Sequence, residues 1–221
     1  MSESDLDDVC RLLKKLPLDD LHELGSLGMH VFQPFTRLTR DQVIGKVRCA
    51  LAKIPDRNLR LKWIAHVYCF LAEKMVLFPW SLYHLGSPGA GTVDFVRLHQ
   101  RLLSEMQYPG SENAGVKVFN DEVFCSAFCL TGPEPLVEDH DVVCLCAWTG
   151  WPYMAIYAPK EACMVRVKKA LKEVLPDDPG KLFQGLHYDL SSVYSAILRS
   201  SPGDRSASGT KMDQGLKAPQ E

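Results

Sequence analysis

The sequence predicts an α+β fold, in which a bundle of short helices is followed by a small antiparallel sheet with further helices packed on it. Residues 1–80 repeat apolar positions at helical spacing, with breaks at Pro17, Pro55 and Pro79. Later in the chain the pattern changes to short runs rich in β-branched and aromatic residues, separated by turn signals such as Thr131-Gly132-Pro133. Such close spacing favours antiparallel neighbours.

The first helix begins near Glu3 and ends before Pro17. One side is apolar and is expected to be buried: Leu6, Val9, Cys10, Leu13 and Leu16. The other side carries charges at four-residue spacing, with the acids first and the bases last: Glu3, Asp7, Arg11 and Lys15. This order complements the helix dipole, which accounts for it without a partner. The alternative is a surface that offers carboxylates to a cationic partner and bases to an anionic one.

The remaining helices of the bundle follow from local signals. A second helix runs from Pro17 to the glycines at 25 and 28. Thr39 with Gln42 forms a capping-box pattern, so a third helix is expected from there to Pro55. The long apolar segment 57–80 predicts a helix that breaks near Pro79.

We divide the chain into four parts from these patterns. Residues 1–80 form the helical bundle, 81–113 a linker and connecting helix, and 114–200 the antiparallel sheet with its helices. The strand candidates are VKVFNDEVFCSAFCL, DVVCLCAW and PYMAIYAP, and the helices after them are CMVRVKKALKEVL and DLSSVYSAILRS. Residues 201–221 have few apolar positions and are expected to be a disordered tail.

The composition is that of an ordinary globular protein, with 46% hydrophobic and 24% charged residues in 221. No apolar run approaches the length of a membrane span, and the acidic start is unlike a secretory signal. The 8 cysteines lie within apolar patterns and include no CxxC. Buried free thiols are typical of a reducing compartment, so we expect a cytosolic or nuclear protein.

Few residues suggest catalysis. Phosphate loops, dinucleotide fingerprints and hydrolase motifs are missing from the sequence. Four strand cysteines allow a zinc site as an alternative to simple core packing, which is favoured: Cys125, Cys129, Cys144 and Cys146. The acidic turn at Glu138, Asp139, His140 and Asp141 is either a solvated hairpin tip, which is favoured, or a cation or acid–base site. We therefore predict no enzyme activity, no cofactor and no metal.

Charge along the chain is more informative. Residues 1–34 hold three bases and seven acids, a net −4, whereas residues 35–62 hold eight bases and two acids, a net +6. A bundle brings these segments together, so that a basic patch lies beside an acidic one. This patch is either a solvated face or a surface that contacts nucleic-acid phosphates.

The order of several stretches resembles the centromere protein N family of inner-kinetochore subunits. These stretches are the first helix with KLPLDDL, the basic loop, the tryptophan-containing long helix, the strand pair DVVCLCAW–PYMAIYAP, and FQGLHYDLSSVYSAIL. Together they cover about residues 1–200. The resemblance implies a pyrin-like bundle of the death-fold type, followed by an α/β domain shared with centromere protein L.

The resemblance also implies a function and a set of site residues. Members of this family bind nucleosomes that carry the centromeric histone variant CENP-A, at the kinetochore in the nucleus, and support chromosome segregation in mitosis. Glu3 and Asp7 would meet an arginine of the exposed histone loop. The DNA-binding residues would be Arg11, Lys15, Arg37 and Arg40. Neither a membrane nor a small-molecule substrate is implied.

Two departures from the family pattern modify these expectations. The stretches TGWPYMAIY and DLSSVYSAIL carry no base where the family has DNA-binding ones, so we expect less DNA contact from the second domain. Other bases are available there: Lys160, Arg166, Lys168, Lys169 and Lys172. The region that pairs with centromere protein L has no counterpart after Ser201, so that partner's binding region is expected to be absent.

Two alternatives remain open at the sequence level. A death-fold interaction adaptor would stack identical domains through their acidic and basic helix faces, without DNA. An enzyme on the α/β domain would use the acidic turn or a reactive cysteine as its site.

Overall fold

The computed structural model describes residues 3–26, 34–85, 94–106, 114–119, 122–131, 140–175 and 179–200. In the first part of the chain, these residues form four α-helices and a short 3₁₀ turn. The elements are α1 (Glu3–Leu13), α2 (Leu18–Glu23), the turn Leu24–Ser26, α3 (Arg40–Ala52) and α4 (Arg57–Glu73). Asp56 caps α4, because its carboxylate accepts a hydrogen bond from the Leu59 amide at 2.6 Å.

The rest of the described chain forms a six-stranded sheet and four helices. The strands are β1 (Trp80–His84), β2 (Ala114–Phe119), β3 (Val123–Thr131), β4 (His140–Trp148), β5 (Tyr153–Tyr157) and β6 (Phe183–His187). The helices are α5 (Phe95–Met106), α6 (Glu161–Val174), α7 (Pro179–Leu182) and α8 (Leu190–Ser200). The strand order is β2-β3-β4-β5-β1-β6, and every neighbouring pair is antiparallel. The predicted α+β class with an antiparallel sheet is confirmed.

Two predicted boundaries need correction. The sequence predicts a linker and connecting helix over residues 81–113. The helix exists as α5, but the start of that segment lies in strand β1, between β5 and β6. The strand has no polar face to mark it, because residues 80–83 are all buried. Helix α4 also ends at Glu73 instead of near Pro79, since the chain leaves the helix at Met75, which has a left-handed φ of 57°.

The core of the helical bundle continues onto one face of the sheet. Helix α4 packs on β2 and β3, and α8 packs on the same face near β1, β5 and β6. The opposite face of the sheet is covered by α5, α6 and α7, which build a second core. Helices therefore cover both faces of the central strands. In the described part of the chain, none of the helices combines the length and apolarity that a bilayer crossing requires.

A buried histidine lies in the second core. His99 of α5 is 7% exposed, and its ring stacks on Phe128 at a centroid distance of 5.0 Å. Its Nδ1 has no hydrogen-bond partner among the described residues. Burial lowers the pKa of His99 below its usual value of 6.5, so folding favours the uncharged form of the ring.

This histidine is expected to make stability depend on pH. Its contribution is fully present above the unfolded pKa and is lost as the pH falls from 6.5 towards the lower folded pKa, because only the unfolded state then binds the proton. As the pH falls through this range, we expect the free energy of unfolding to decrease less in His99→Leu than in wild type. The two slopes should differ by at most roughly 1.4 kcal/mol per pH unit. Urea unfolding of both proteins at several pH values measures this, and other titrating groups cancel in the comparison. Parallel pH profiles would contradict the prediction.

Candidate charged interface

The solvent face of α1 is positioned by its apolar side. Val9 and Leu13 are fully buried, which leaves Asp7 and Arg11 exposed on the outer side of the helix. Glu3 is the first residue of α1, and its side chain lies outside the part of the structure that is described. The four-residue spacing therefore places Asp7 and Arg11 on the exposed side of α1, as the sequence predicts.

Asp7 is held by a base that the site prediction did not include. The Arg48 Nη1 atom on α3 donates to the Asp7 Oδ1 atom at 2.5 Å. The Asp7 side chain remains 58% exposed, so its carboxylate is still accessible from solvent. An exposed pair of this kind contributes about 0–1 kcal/mol, so it orients the carboxylate without sequestering it. The only sequence signal for Arg48 was its place in the basic segment.

Arg11 pairs within its own helix. Its Nη2 atom lies 3.0 Å from the Asp8 Oδ1 atom, one turn earlier, and the Arg11 side chain is 67% exposed. Since exposed i,i+3 pairs are weak, a phosphate can replace Asp8 at little cost.

Lys15 lies beyond the end of α1, against an aromatic ring. Its Nζ atom is 4.6 Å from the centroid of the Phe78 ring, within the range of a cation–π interaction. Phe78 in turn stacks on Tyr188 at 5.1 Å. Lys15 is exposed, and the contact with Phe78 gives its ammonium group a defined position.

Arg37 lies in a tight turn before α3. The Leu38 amide donates to the Phe35 carbonyl at 3.2 Å, and Arg37 itself has a φ of 68°, in the left-handed region. His22 of α2 lies 3.0 Å from the Leu38 carbonyl through its Nε2 atom, so the turn is attached to α2. A left-handed φ costs about 1–2 kcal/mol for a side-chain-bearing residue, and such conformations concentrate at functional sites.

The predicted bases thus occupy three neighbouring elements of the bundle. Arg11 and Lys15 belong to α1 and its end, Arg37 to the turn, and Arg40 to the first residue of α3. Helix α3 contacts both α1 and α2, and the Asp7–Arg48 pair crosses the α1–α3 contact. Two exposed cations that the site prediction omitted are Lys46 of α3 and Lys53, which follows the last residue of that helix.

The bases of the second domain differ from one another in availability. Lys168, Lys169 and Lys172 of α6 are exposed. Lys160 forms an ion pair with Asp141 at 2.8 Å. Arg166 donates to the Met106 carbonyl, which ties α6 to α5. Two of the five bases that could compensate for the missing family residues are therefore engaged within the chain.

The four strand cysteines considered for an enzyme or metal site lie in the core. Cys125, Cys129, Cys144 and Cys146 are all fully buried, and burial raises the pKa of Cys125, Cys144 and Cys146. Within the described ranges, no cluster of three or more His, Cys, Asp or Glu side chains is arranged to hold a metal ion. Glu138 and Asp139 of the acidic turn lie outside the described residues, as does the side chain of His140.

Comparisons with known proteins add no family assignment. No protein-family model matches this chain, and a search of curated proteins found no significant relative.

Proposed function

We propose that this chain is a non-enzymatic kinetochore subunit of the centromere protein N type, which binds CENP-A nucleosomes in the nucleus and contributes to chromosome segregation. The observation that carries the proposal is the outer face of α1, where the accessible Asp7 carboxylate precedes Arg11 and is paired with Arg48 of α3, the helix that follows the turn at Arg37. In this proposal α1–α4 form a pyrin-like bundle of the death-fold type. Glu3 and Asp7 meet the histone loop, and the bases hold DNA.

The bases supply affinity without sequence preference. Each contact between a base and a phosphate releases counterions, so binding depends strongly on salt and hardly on base sequence. The DNA-binding set is Arg11, Lys15, Arg37 and Arg40. On binding DNA, Arg11 leaves its weak ion pair with Asp8 and Lys15 leaves the Phe78 ring, and each contacts a phosphate instead.

The carboxylates supply the preference for one histone. A charge-assisted bond between Asp7 and a histone arginine is worth about 1.5–3 kcal/mol, a preference of roughly 10- to 100-fold. Arg48 donates to one oxygen of Asp7. A carboxylate has two oxygens and about four acceptor positions, so Asp7 can accept from Arg48 and from the histone together.

Neutralising the acids is expected to abolish this preference. In Glu3→Gln/Asp7→Asn, the affinity for CENP-A nucleosomes falls to that for conventional nucleosomes, because the amides lack the charge that selects the guanidinium. Gel-shift titrations on both reconstituted particles give the ratio of dissociation constants. Asp19→Asn/Glu105→Gln removes two exposed acids elsewhere and is expected to keep the wild-type ratio. Equal ratios for both double variants would exclude α1 as the histone reader.

A second candidate function is supported by the same face. Exposed acids and bases on one helix are also what a death-fold interaction adaptor uses to assemble with copies of itself. Sedimentation velocity at low salt without DNA separates the two, since an adaptor assembles under these conditions and a nucleosome reader stays monomeric.

A further inference from the structure

Strand β6 leaves one side of the sheet unpaired. It is the last strand in the sheet order, with β1 on its inner side and no strand on its outer side among the described residues. Its sequence FQGLH has neither a lysine nor a proline, residues that natural edge strands use to prevent further pairing. Phe183 is 43% exposed and Leu186 is 66% exposed. The pairing of β6 with β1 shifts register between Leu82 and Tyr83, but no strand, lysine or proline blocks the outer side of these five residues among those described, so this edge can pair with a short further strand.

A cleft lies along this edge, between α6 and the strands β1 and β6. Its volume is about 560 Å³, and its lining is mostly apolar, with Tyr83, Met164, Phe183 and Leu186 among the residues that form it. Lys168 and Lys172, four residues apart on α6, also line the cleft. The remaining charged residues of the lining are Lys160 and Glu161, so the net charge of the lining is positive.

The exposed apolar surface extends beyond the strand. Tyr188, just after β6, is 71% exposed, and its ring stacks on that of Phe78, which is 44% exposed. A row of exposed apolar groups beside an unpaired strand is typical of a surface that another protein covers. The row is longer than the cleft, so a ligand confined to the cleft would leave its end uncovered.

We propose that the cleft and the outer edge of β6 form a docking site for an acidic segment of a partner protein. The segment pairs with β6 as a further strand, its alternate apolar side chains enter the cleft, and its carboxylates lie at Lys168 and Lys172. Backbone hydrogen bonds give such strand addition its affinity, whereas the pockets and charges select the sequence. The cleft is lined by residues outside α1 and α3, so the proposal does not depend on nucleosome binding, although the apolar row beyond the cleft ends at Phe78, on which Lys15 packs.

A second copy of the chain is a poorer occupant. Two β6 strands that pair about a two-fold axis perpendicular to the sheet place both α6 helices on the same face. The lysine rows of the two copies then face each other across the junction, and this repulsion opposes pairing. An acidic segment instead brings the complementary charge.

The test selects binders for the full chain from a phage-displayed library of random peptides, about 12 residues long to exceed one strand. We expect enrichment of peptides that alternate acidic with β-branched or aromatic residues. One enriched peptide is then synthesised with a fluorophore and titrated by fluorescence anisotropy. Lys168→Glu/Lys172→Glu and Leu186→Asp are each expected to weaken binding at least about tenfold, whereas Lys169→Glu, on α6 but outside the cleft, changes it less than about twofold.

Three results would overturn the proposal. The first is a selection that yields no acidic, strand-like peptides. The second is peptide binding that is not weakened in either cleft variant. Binding that is unchanged when proline replaces alternate residues of the peptide counts in the same way, because proline removes the backbone N–H groups that would pair with β6. The third is a wild-type dimer in light scattering that Leu186→Asp converts to a monomer, since a second copy would then occupy the edge. Circular dichroism confirms that the variants, all at exposed residues, remain folded.

Discussion

Replacing the four proposed DNA-binding bases by glutamine is expected to weaken binding to both kinds of nucleosome and to flatten its salt dependence. The quadruple variant is Arg11→Gln/Lys15→Gln/Arg37→Gln/Arg40→Gln. Each lost phosphate contact reduces the slope of log affinity against log salt by about 0.9, so four contacts account for about 3.6. When the salt concentration rises from ~50 to ~200 mM, these four contacts account for a roughly 150-fold loss of wild-type affinity. The variant lacks the contacts, so its affinity should not show this part of the loss. Fluorescence anisotropy with labelled nucleosomes, at several salt concentrations, measures both slopes.

The control removes the same number of exposed cations from other elements. It is Arg97→Gln/Arg101→Gln/Lys181→Gln/Arg199→Gln, in α5, α7 and α8. We expect its salt slope to stay close to that of wild type, because cations that contact no phosphate release no DNA counterions on binding. If the two quadruple variants lose the same slope, the bases of α1, the turn and α3 form no specific DNA surface.

Removing the Trp80 side chain is expected to produce the largest loss of stability. Trp80 is fully buried in β1, its Nε1 atom donates to the Leu77 carbonyl at 2.7 Å, and its ring lies 5.8 Å from that of Tyr157. Trp80→Ala leaves a cavity in the core that the helical bundle shares with the sheet, and it is expected to cost about 3–5 kcal/mol. This is a large part of a total stability of about 5–15 kcal/mol.

Urea unfolding followed by circular dichroism and by tryptophan fluorescence measures this loss. Trp80→Phe is the matched control and is expected to cost less, because it keeps an aromatic ring in the same space. Since one core joins the two halves, both probes should give a single transition in wild type. A cost below about 1 kcal/mol for Trp80→Ala would contradict the burial of this strand between two helical layers.

Most of the fold could be predicted because its signals are local. The capping box at Thr39 was predicted and is confirmed, with the Thr39 amide donating to Gln42 at 2.9 Å. Strand β1 was missed because it is buried on both faces and adjoins a glycine-rich stretch, so it shows no alternation. The position of β1 between β5 and β6 depends on pairings with residues at least 69 positions away, which no local pattern encodes.

The candidate site was predicted only as far as helix periodicity reaches. Four-residue spacing was enough to place Asp7 and Arg11 on the exposed side of α1. The partners of these charges were not predictable, since Arg48 is 41 residues from Asp7, and Phe78 meets Lys15 only after the bundle has folded. The cleft beside β6 was missed for the same reason, because α6 and β1 reach it from distant parts of the sequence.

The central proposal is that this chain distinguishes CENP-A nucleosomes through the split charge of α1. The most direct test measures the affinity of the full chain for CENP-A nucleosomes, conventional nucleosomes and the same DNA without histones, in one assay at ~150 mM salt. We predict the tightest binding to CENP-A nucleosomes, by roughly 10- to 100-fold over conventional ones. Equal affinity for all three would leave a DNA-binding surface that does not read the histone, and no binding to any of them would contradict the account.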